Sequence, residues 1–120
     1  MTVRAFRGAT CLAADDPAEM AEAVSEMLQE LFFRNGISHD DLISIVLTST
    51  PDLVSGFPAT AARGIGLGDV PLLSAQEIAV VGALPRVVRA LVTAESGLPR
   101  ADVVHVYQRG AEVLRQDLAQ

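Results

Sequence analysis

The stretch that decides the fold is an amphipathic segment over residues 15–36, which reads DDPAEMAEAVSEMLQELFFRNG. Asp16 suits the helix cap, Pro17 suits the first helical position, and Glu19 stands three residues past the cap, as in a capping box. Gly36 is typical of a helix end. The apolar residues recur at helical spacing and form one stripe: Met20, Val24, Met27, Leu28 and Leu31. The pattern predicts one long helix whose apolar face must pack against another element.

Short runs of β-branched and apolar residues surround this helix and predict strands. The predicted strands cover residues 2–8, 42–50, 70–74, 86–93 and 103–107, with a further extended piece at 112–114. A short helix is predicted over residues 57–64, before a loop with glycines at 64, 66 and 68. Since no repeat or linker divides the chain, we expect a single domain over residues 1–120.

The order of these elements predicts an α+β or α/β fold, in which one long helix covers one face of a mixed sheet. One helix covers only part of a sheet of roughly four or five strands. The other face of so apolar a chain requires a partner, and this favours a homo-oligomer.

Composition excludes several classes of protein. The net charge is −6, whereas a nucleic-acid binder needs a basic stripe to neutralise phosphates. All nine basic residues are arginine, so Schiff-base lysine chemistry and a P-loop lysine are excluded. No apolar run is long enough to span a membrane, and the N-terminus carries no signal-peptide pattern, so we expect a cytoplasmic location. The single Cys11 and the scattered histidines predict neither a metal site nor a cofactor.

Two charged residues stand out because they interrupt apolar sequence. Arg89 lies within RVVRALVT, and on a strand it shares a face with Val87 and Leu91. Glu77 is the only charge between Asp69 and Arg86. A charge on an apolar face is costly unless it is paired or binds an ion. Spacing alone gives equal weight to a structural ion pair and to a site for an anionic ligand, and arginine suits two-pronged binding of carboxylates.

The order and spacing of several segments resemble the monofunctional, trimeric chorismate mutases of the AroH class over essentially the whole chain. The segments that carry the resemblance are VRAFRGAT at 3–10, TPDL at 50–53, FPA at 57–59, Gln76-Glu77, Arg89, HVY at 105–107 and VLRQDL at 113–118. In a known member of this family, a lysine stands at the position of Thr60 and a cysteine at that of Ser74. The glycine loop at 64–68 is one residue shorter than the family's loop.

This resemblance implies a pseudo α/β-barrel homotrimer that rearranges chorismate to prephenate, on the branch towards phenylalanine and tyrosine, with sites between subunits. By the family's pattern, Arg89 bonds the ether oxygen and a carboxylate of chorismate. Arg7 and Tyr107 hold the side-chain carboxylate, and Glu77 accepts from the ring hydroxyl. The remaining substrate-binding positions implied by the resemblance are Phe57, Ala59, Thr60, Arg63, Leu73, Ser74, Leu114 and Arg115. The C-terminal tail would act as a mobile cover.

A pericyclic rearrangement is compatible with the residue inventory, because it requires no nucleophile, metal, cofactor or proton transfer. Two alternatives stay open at this point. One is a non-catalytic trimer that binds a small carboxylate. The other is a trimeric enamine/imine deaminase, which would require water-activating residues that the sequence does not display.

Overall fold

The computed structural model describes residues 2–117, which form one sheet, two α-helices and three short 3₁₀ helices. The strands are β1 (Thr2–Cys11), β2 (Leu42–Ser49), β3 (Leu72–Gln76), β4 (Val87–Ser96) and β5 (Val106–Gln108). The α-helices are α1 (Pro17–Asn35) and α2 (Pro58–Gly64), and the 3₁₀ helices cover His39–Asp41, Arg100–Asp102 and Ala111–Asp117.

The five strands are ordered β3-β2-β4-β1-β5 in a mixed sheet. The central strand β4 runs antiparallel to both β1 and β2, whereas the edge strands β5 and β3 run parallel to β1 and β2 respectively. The expected α+β fold with a mixed sheet is therefore confirmed. Within residues 2–117, neither α-helix has both the length and the apolar character that a bilayer crossing requires.

Helix α1 packs its apolar stripe on one face of the sheet, and the short α2 extends this cover. The carboxylate of Asp16 accepts a hydrogen bond from the Glu19 amide at 2.8 Å, as the cap predicted. Glu19 does not complete a reciprocal box, because its carboxylate accepts from the amides of Ala13 and Ala14 instead. At Gly8 a Cβ atom would lie 3.1 Å from Met27, so glycine allows α1 to approach β1 closely.

The C-terminal third differs from the sequence prediction in two places. The strand predicted at 103–107 begins only at Val106, because the side chain of Asn35 takes both backbone groups of Val104. A main-chain group already bonded in this way is not available to a sheet ladder. The extended piece predicted at 112–114 is instead part of the 3₁₀ helix Ala111–Asp117. Arg109 and Gly110, both at positive φ, reverse the chain just before it.

Candidate active site

The face of the sheet turned away from α1, here called the open face, carries most of the predicted site. Because side chains alternate along a strand, β4 buries Val88, Ala90 and Val92 under the helices and turns Arg89 and Leu91 outward. The expectation that Arg89 and Leu91 share a face is thus met.

Strand register aligns the open-face residues in rows that cross the sheet. One row crosses all five strands and consists of Tyr107, Ala9, Arg89, Thr48 and Ala75. The next row consists of Arg7, Leu91, Val46 and Leu73. The small side chain of Ala9, between Tyr107 and Arg89, leaves room above the first row.

Glu77 joins the first row from the end of β3. Its amide donates to the Ser49 carbonyl at 2.9 Å, so the β2–β3 ladder continues one step beyond Gln76. Alternation from Ala75 places the Glu77 side chain on the open face. There its Oε2 lies 3.0 Å from Nε of Arg89 and accepts a 2.7 Å hydrogen bond from the Thr48 hydroxyl.

The Arg89–Glu77 ion pair is turned towards a cavity rather than enclosed in the core. The Arg89 side chain is 50% exposed and that of Glu77 is 18% exposed. An arginine whose only role is a structural ion pair has no need for a side chain that is half exposed to solvent. Spacing alone gave equal weight to a structural ion pair and to a site for an anionic ligand. The structure contains the ion pair, and this pair borders an accessible cleft.

The other end of the first row gathers further cationic groups. The backbone amide of Arg7 donates to Nδ1 of His105 at 3.0 Å, which requires a neutral imidazole at that nitrogen. The pKa of His105 is lowered mainly by partial burial, and to a smaller extent by the charges of Arg7 and Arg115. The guanidinium of Arg115 stands 5.5 Å from the centre of the Tyr107 ring, within range of a cation–π contact.

Between these two ends lies a cleft of about 540 Å³. Its lining includes four of the predicted site residues, namely Arg7, Arg89, Tyr107 and Leu114, together with Ala9, Val46, Thr48 and Leu91. The guanidinium groups of Arg7 and Arg89 line it and that of Arg115 stands by Tyr107, while Glu77 and Asp52 line an adjoining cavity that shares Arg89 and Leu114. Such a cleft attracts a small anion and provides apolar walls for its carbon frame. Within the described chain, no cluster of His, Cys, Asp and Glu side chains is grouped for a metal ion.

The remaining predicted residues lie elsewhere on the chain. Phe57 and Ser74 line a separate groove of about 430 Å³ beyond the edge strand β3. On α2, Thr60 accepts a hydrogen bond from Arg63 at 3.3 Å at the surface, while Ala59 is buried. One chain therefore does not bring these five positions to the cleft at Arg89. The predicted tail cover falls partly on residues 118–120, outside the described chain, and stays a prediction.

Comparison with known proteins adds a family to this geometry. A sequence model described as chorismate mutase type I matches residues 3–118. The chain belongs to this family. The chorismate mutase AroH of Thermus thermophilus is 46% identical over 117 residues, which cover 97% of this chain and 96% of that protein. The chorismate mutase AroH of Bacillus subtilis (strain 168) is 33% identical over 120 residues, with 99% and 94% covered.

The folds of chorismate mutases also agree with the one described above. A chorismate mutase structure from Clostridium thermocellum superposes with a TM-score of 0.90 at 36% identity, covering 92% of this chain and 98% of the other. The family resemblance seen in the sequence is thereby confirmed, as is the activity class, an isomerase of aromatic amino acid biosynthesis.

The sequence did not predict the place of Thr48, which lines the cleft, or the contact made by His105. Thr48 sits in a run of three hydroxyl residues at 48–50, and nothing local distinguishes it from its neighbours. Only the pairing of β2 with β4 identifies it as the residue beside Arg89. His105 is part of the HVY segment that carries the family resemblance, but its bond to the Arg7 amide depends on β5 lying next to β1.

Proposed function

We propose that the chain converts chorismate to prephenate by a Claisen rearrangement, and that Arg89 is the residue that stabilises the transition state. The observation that carries this proposal is the half-exposed Arg89, held by Glu77 at the centre of a cationic cleft. We place the reaction in the cytoplasm, which stays a prediction from the sequence.

The rearrangement breaks the ether C–O bond of chorismate while a C–C bond forms within the same molecule. Electrons move in a ring, so no proton or other group leaves or arrives. What a protein can supply is a compact substrate conformer and donors for the negative charge that develops on the ether oxygen. Fixed donors in a partly desolvated cleft serve this purpose without rearranging during the reaction.

Arg89 is suited to that role by the way it meets Glu77. Its closest contact with the carboxylate is made by Nε, at 3.0 Å, and in this proposal its terminal nitrogens donate to the substrate. A planar guanidinium can bond the ether oxygen and a nearby carboxylate of chorismate together. The ring hydroxyl would donate to Glu77, and the second carboxylate would bind Arg7 and Tyr107, with Arg115 and Leu114 alongside.

We further propose that the active molecule is a homotrimer whose sites lie between subunits. The support is the separation described above, because Phe57, Thr60, Arg63 and Ser74 stand away from Arg89 within one chain. Phe57 is 71% exposed, which is unusual for a large aromatic side chain. A neighbouring subunit would bring this second set, with Ala59, over the cleft of the first, where Leu73 extends the row of Arg7.

The trimer can be tested by light scattering and by mixing two inactive variants. Arg89→Ala damages one half of a shared site and Arg63→Ala damages the other. Random assembly of both variants would restore about a quarter of the sites in a cyclic trimer, where each site uses two neighbours. Activity that stays at the level of the separate variants, or a fully active monomer, would refute the shared site.

The function itself is tested by incubating purified protein with chorismate and identifying prephenate by NMR. Turnover should be flat between about pH 6.5 and 8, since the rearrangement moves no proton and burial, with the charges of Arg7 and Arg115, lowers the pKa of His105. A bell-shaped profile would indicate an essential acid and base, as a deaminase needs. Chorismate bound but never consumed would instead favour the carboxylate-binding protein.

A further inference from the structure

We infer that Thr48 is a positioning residue for substrate binding, because its hydroxyl keeps Glu77 from closing on Arg89. This inference rests on the proposed function of Glu77 and Arg89. Thr48 is half-buried on β2 and is the cross-strand neighbour of Arg89 on β4. It lines the cleft, so its hydroxyl lies at the wall of the site itself.

The evidence lies in how Glu77 is held. The Thr48 hydroxyl donates to Oε2 of Glu77 at 2.7 Å, and the nearest nitrogen of Arg89, Nε, meets the same oxygen at 3.0 Å. Both of these contacts are made by Oε2, so in this inference Oε1 is the oxygen that accepts from a ligand hydroxyl. The hydroxyl of Thr48 and the nearest nitrogen of Arg89 share one carboxylate oxygen.

A carboxylate and a guanidinium in contact favour a two-pronged pair in which both oxygens meet two nitrogens. Such a pair at Arg89 would occupy a terminal nitrogen that the substrate needs, and it would also use Oε1 of Glu77. The glutamate side chain has enough rotatable bonds to turn in this way. The second contact on Oε2 opposes the turn, because the turn would break a hydrogen bond to a charged group.

Loss of the hydroxyl should therefore affect substrate binding more than the chemical step. Thr48→Val has nearly the same shape and suits a strand, but it cannot donate. In this variant the closed Glu77–Arg89 pair stabilises the free enzyme, and chorismate has to break it before binding. The bound substrate and the transition state then lose the same binding free energy relative to the free enzyme. KM therefore rises while kcat changes little. We expect KM to rise about tenfold and kcat to change less than about twofold, from the usual strength of a hydrogen bond to a charged group.

The experiment compares Thr48→Val with four further variants by steady-state kinetics with chorismate, and by calorimetric binding of prephenate. Thr48→Ser keeps the donor and should restore KM to near the wild-type value. Thr93→Val is the matched control, since Thr93 lies on the same face of β4, outside the cleft lining. Glu77→Ala removes the partner, and adding Thr48→Val to it should change neither KM nor the prephenate Kd further.

An unchanged KM in Thr48→Val would overturn the inference, as would a Thr48→Ser variant that is impaired equally. A fall in kcat and Tm with constant KM would indicate a structural role and would overturn it too, as would a full effect of Thr48→Val in the Glu77→Ala background. If Thr48→Val does not fold, Thr48→Ala against Thr48→Ser gives the same comparison. Wild-type protein that leaves chorismate unchanged would refute the proposed function instead, so the two failures are distinct.

Discussion

Replacing Arg89 by lysine tests the centre of the proposed site while keeping its charge. The guanidinium of Arg89 meets Glu77 through Nε, and its other nitrogens are the donors proposed for chorismate. A lysine ammonium is a single point of charge on a flexible stem. It can pair with Glu77 or approach the ether oxygen, but it cannot serve both with the same geometry.

The magnitude follows from the loss of one donor aimed at the developing charge. Removing such a donor costs about 3–4 kcal/mol of transition-state stabilisation, or roughly 100- to 1000-fold in turnover. Because the lost interaction belongs mainly to the transition state, the fall should appear in kcat and equally in kcat/KM. Stability should change little, because Arg89 is 50% exposed and ion pairs with that much solvent contribute roughly 0–1 kcal/mol.

The assay is the disappearance of chorismate in steady state, with the free energy of unfolding measured in urea on the same preparations. Arg4→Lys supplies the matched control. Arg4 is an arginine of strand β1, which pairs with β4. Its Nε donates to the Leu98 carbonyl at 2.8 Å, away from the cleft. This control should keep kcat within about twofold of the wild-type value, as expected for a substitution outside the site.

Two results would refute the reasoning about Arg89. Turnover of Arg89→Lys within about threefold of the wild type would remove the guanidinium from the chemical step, since the expected loss is at least about 100-fold. An equal fall in Arg4→Lys would show that the assay reports general damage to the sheet rather than loss of a donor.

Three further predictions concern the rest of the chain. Thr60→Lys should lower KM for dianionic chorismate by at most about fivefold, less so at high salt, because an exposed added charge contributes roughly 0–1 kcal/mol. An altered kcat at constant KM would contradict its proposed place among the substrate-binding residues of the neighbouring subunit. Asn35→Ala should cost about 1–3 kcal/mol in urea unfolding, because it leaves the partly buried main-chain groups of Val104 without their partners. Burial and the charges of Arg7 and Arg115 lower the pKa of His105 in the folded chain. As pH falls, the imidazole is therefore protonated in the unfolded chain before it is protonated in the folded chain, which favours unfolding. Wild-type stability should therefore decline below about pH 6.5 more steeply than that of His105→Gln, and parallel declines would contradict the prediction.

The sequence by itself determined the long helix and the strand-forming runs. It also excluded chemistry that requires a lysine, since all nine basic residues are arginine. Helix α1 falls within one residue or two of its prediction, because a cap at Asp16, a stripe at helical spacing and a glycine at 36 all act between near neighbours. Arg89 and Glu77 were conspicuous for the same reason, since a charge within apolar sequence is a local signal.

Only the tertiary structure decided what those residues meet. The hydroxyl of Thr48 reaches Glu77 across 29 residues of sequence, and Asn35 reaches Val104 across 69. The contact of Thr48 with Glu77 follows from strand register, and the contact of Asn35 with Val104 shortens β5. Neither contact can be predicted from the residues that are near it in sequence. Ser74 is separated from Arg89 by strand alternation, because Ala75 and Glu77 take the open face, whereas Phe57 lies outside the sheet at the start of α2. Periodicity fixes the face on which a side chain lies, whereas its neighbours depend on pairings between distant segments that only the folded chain selects.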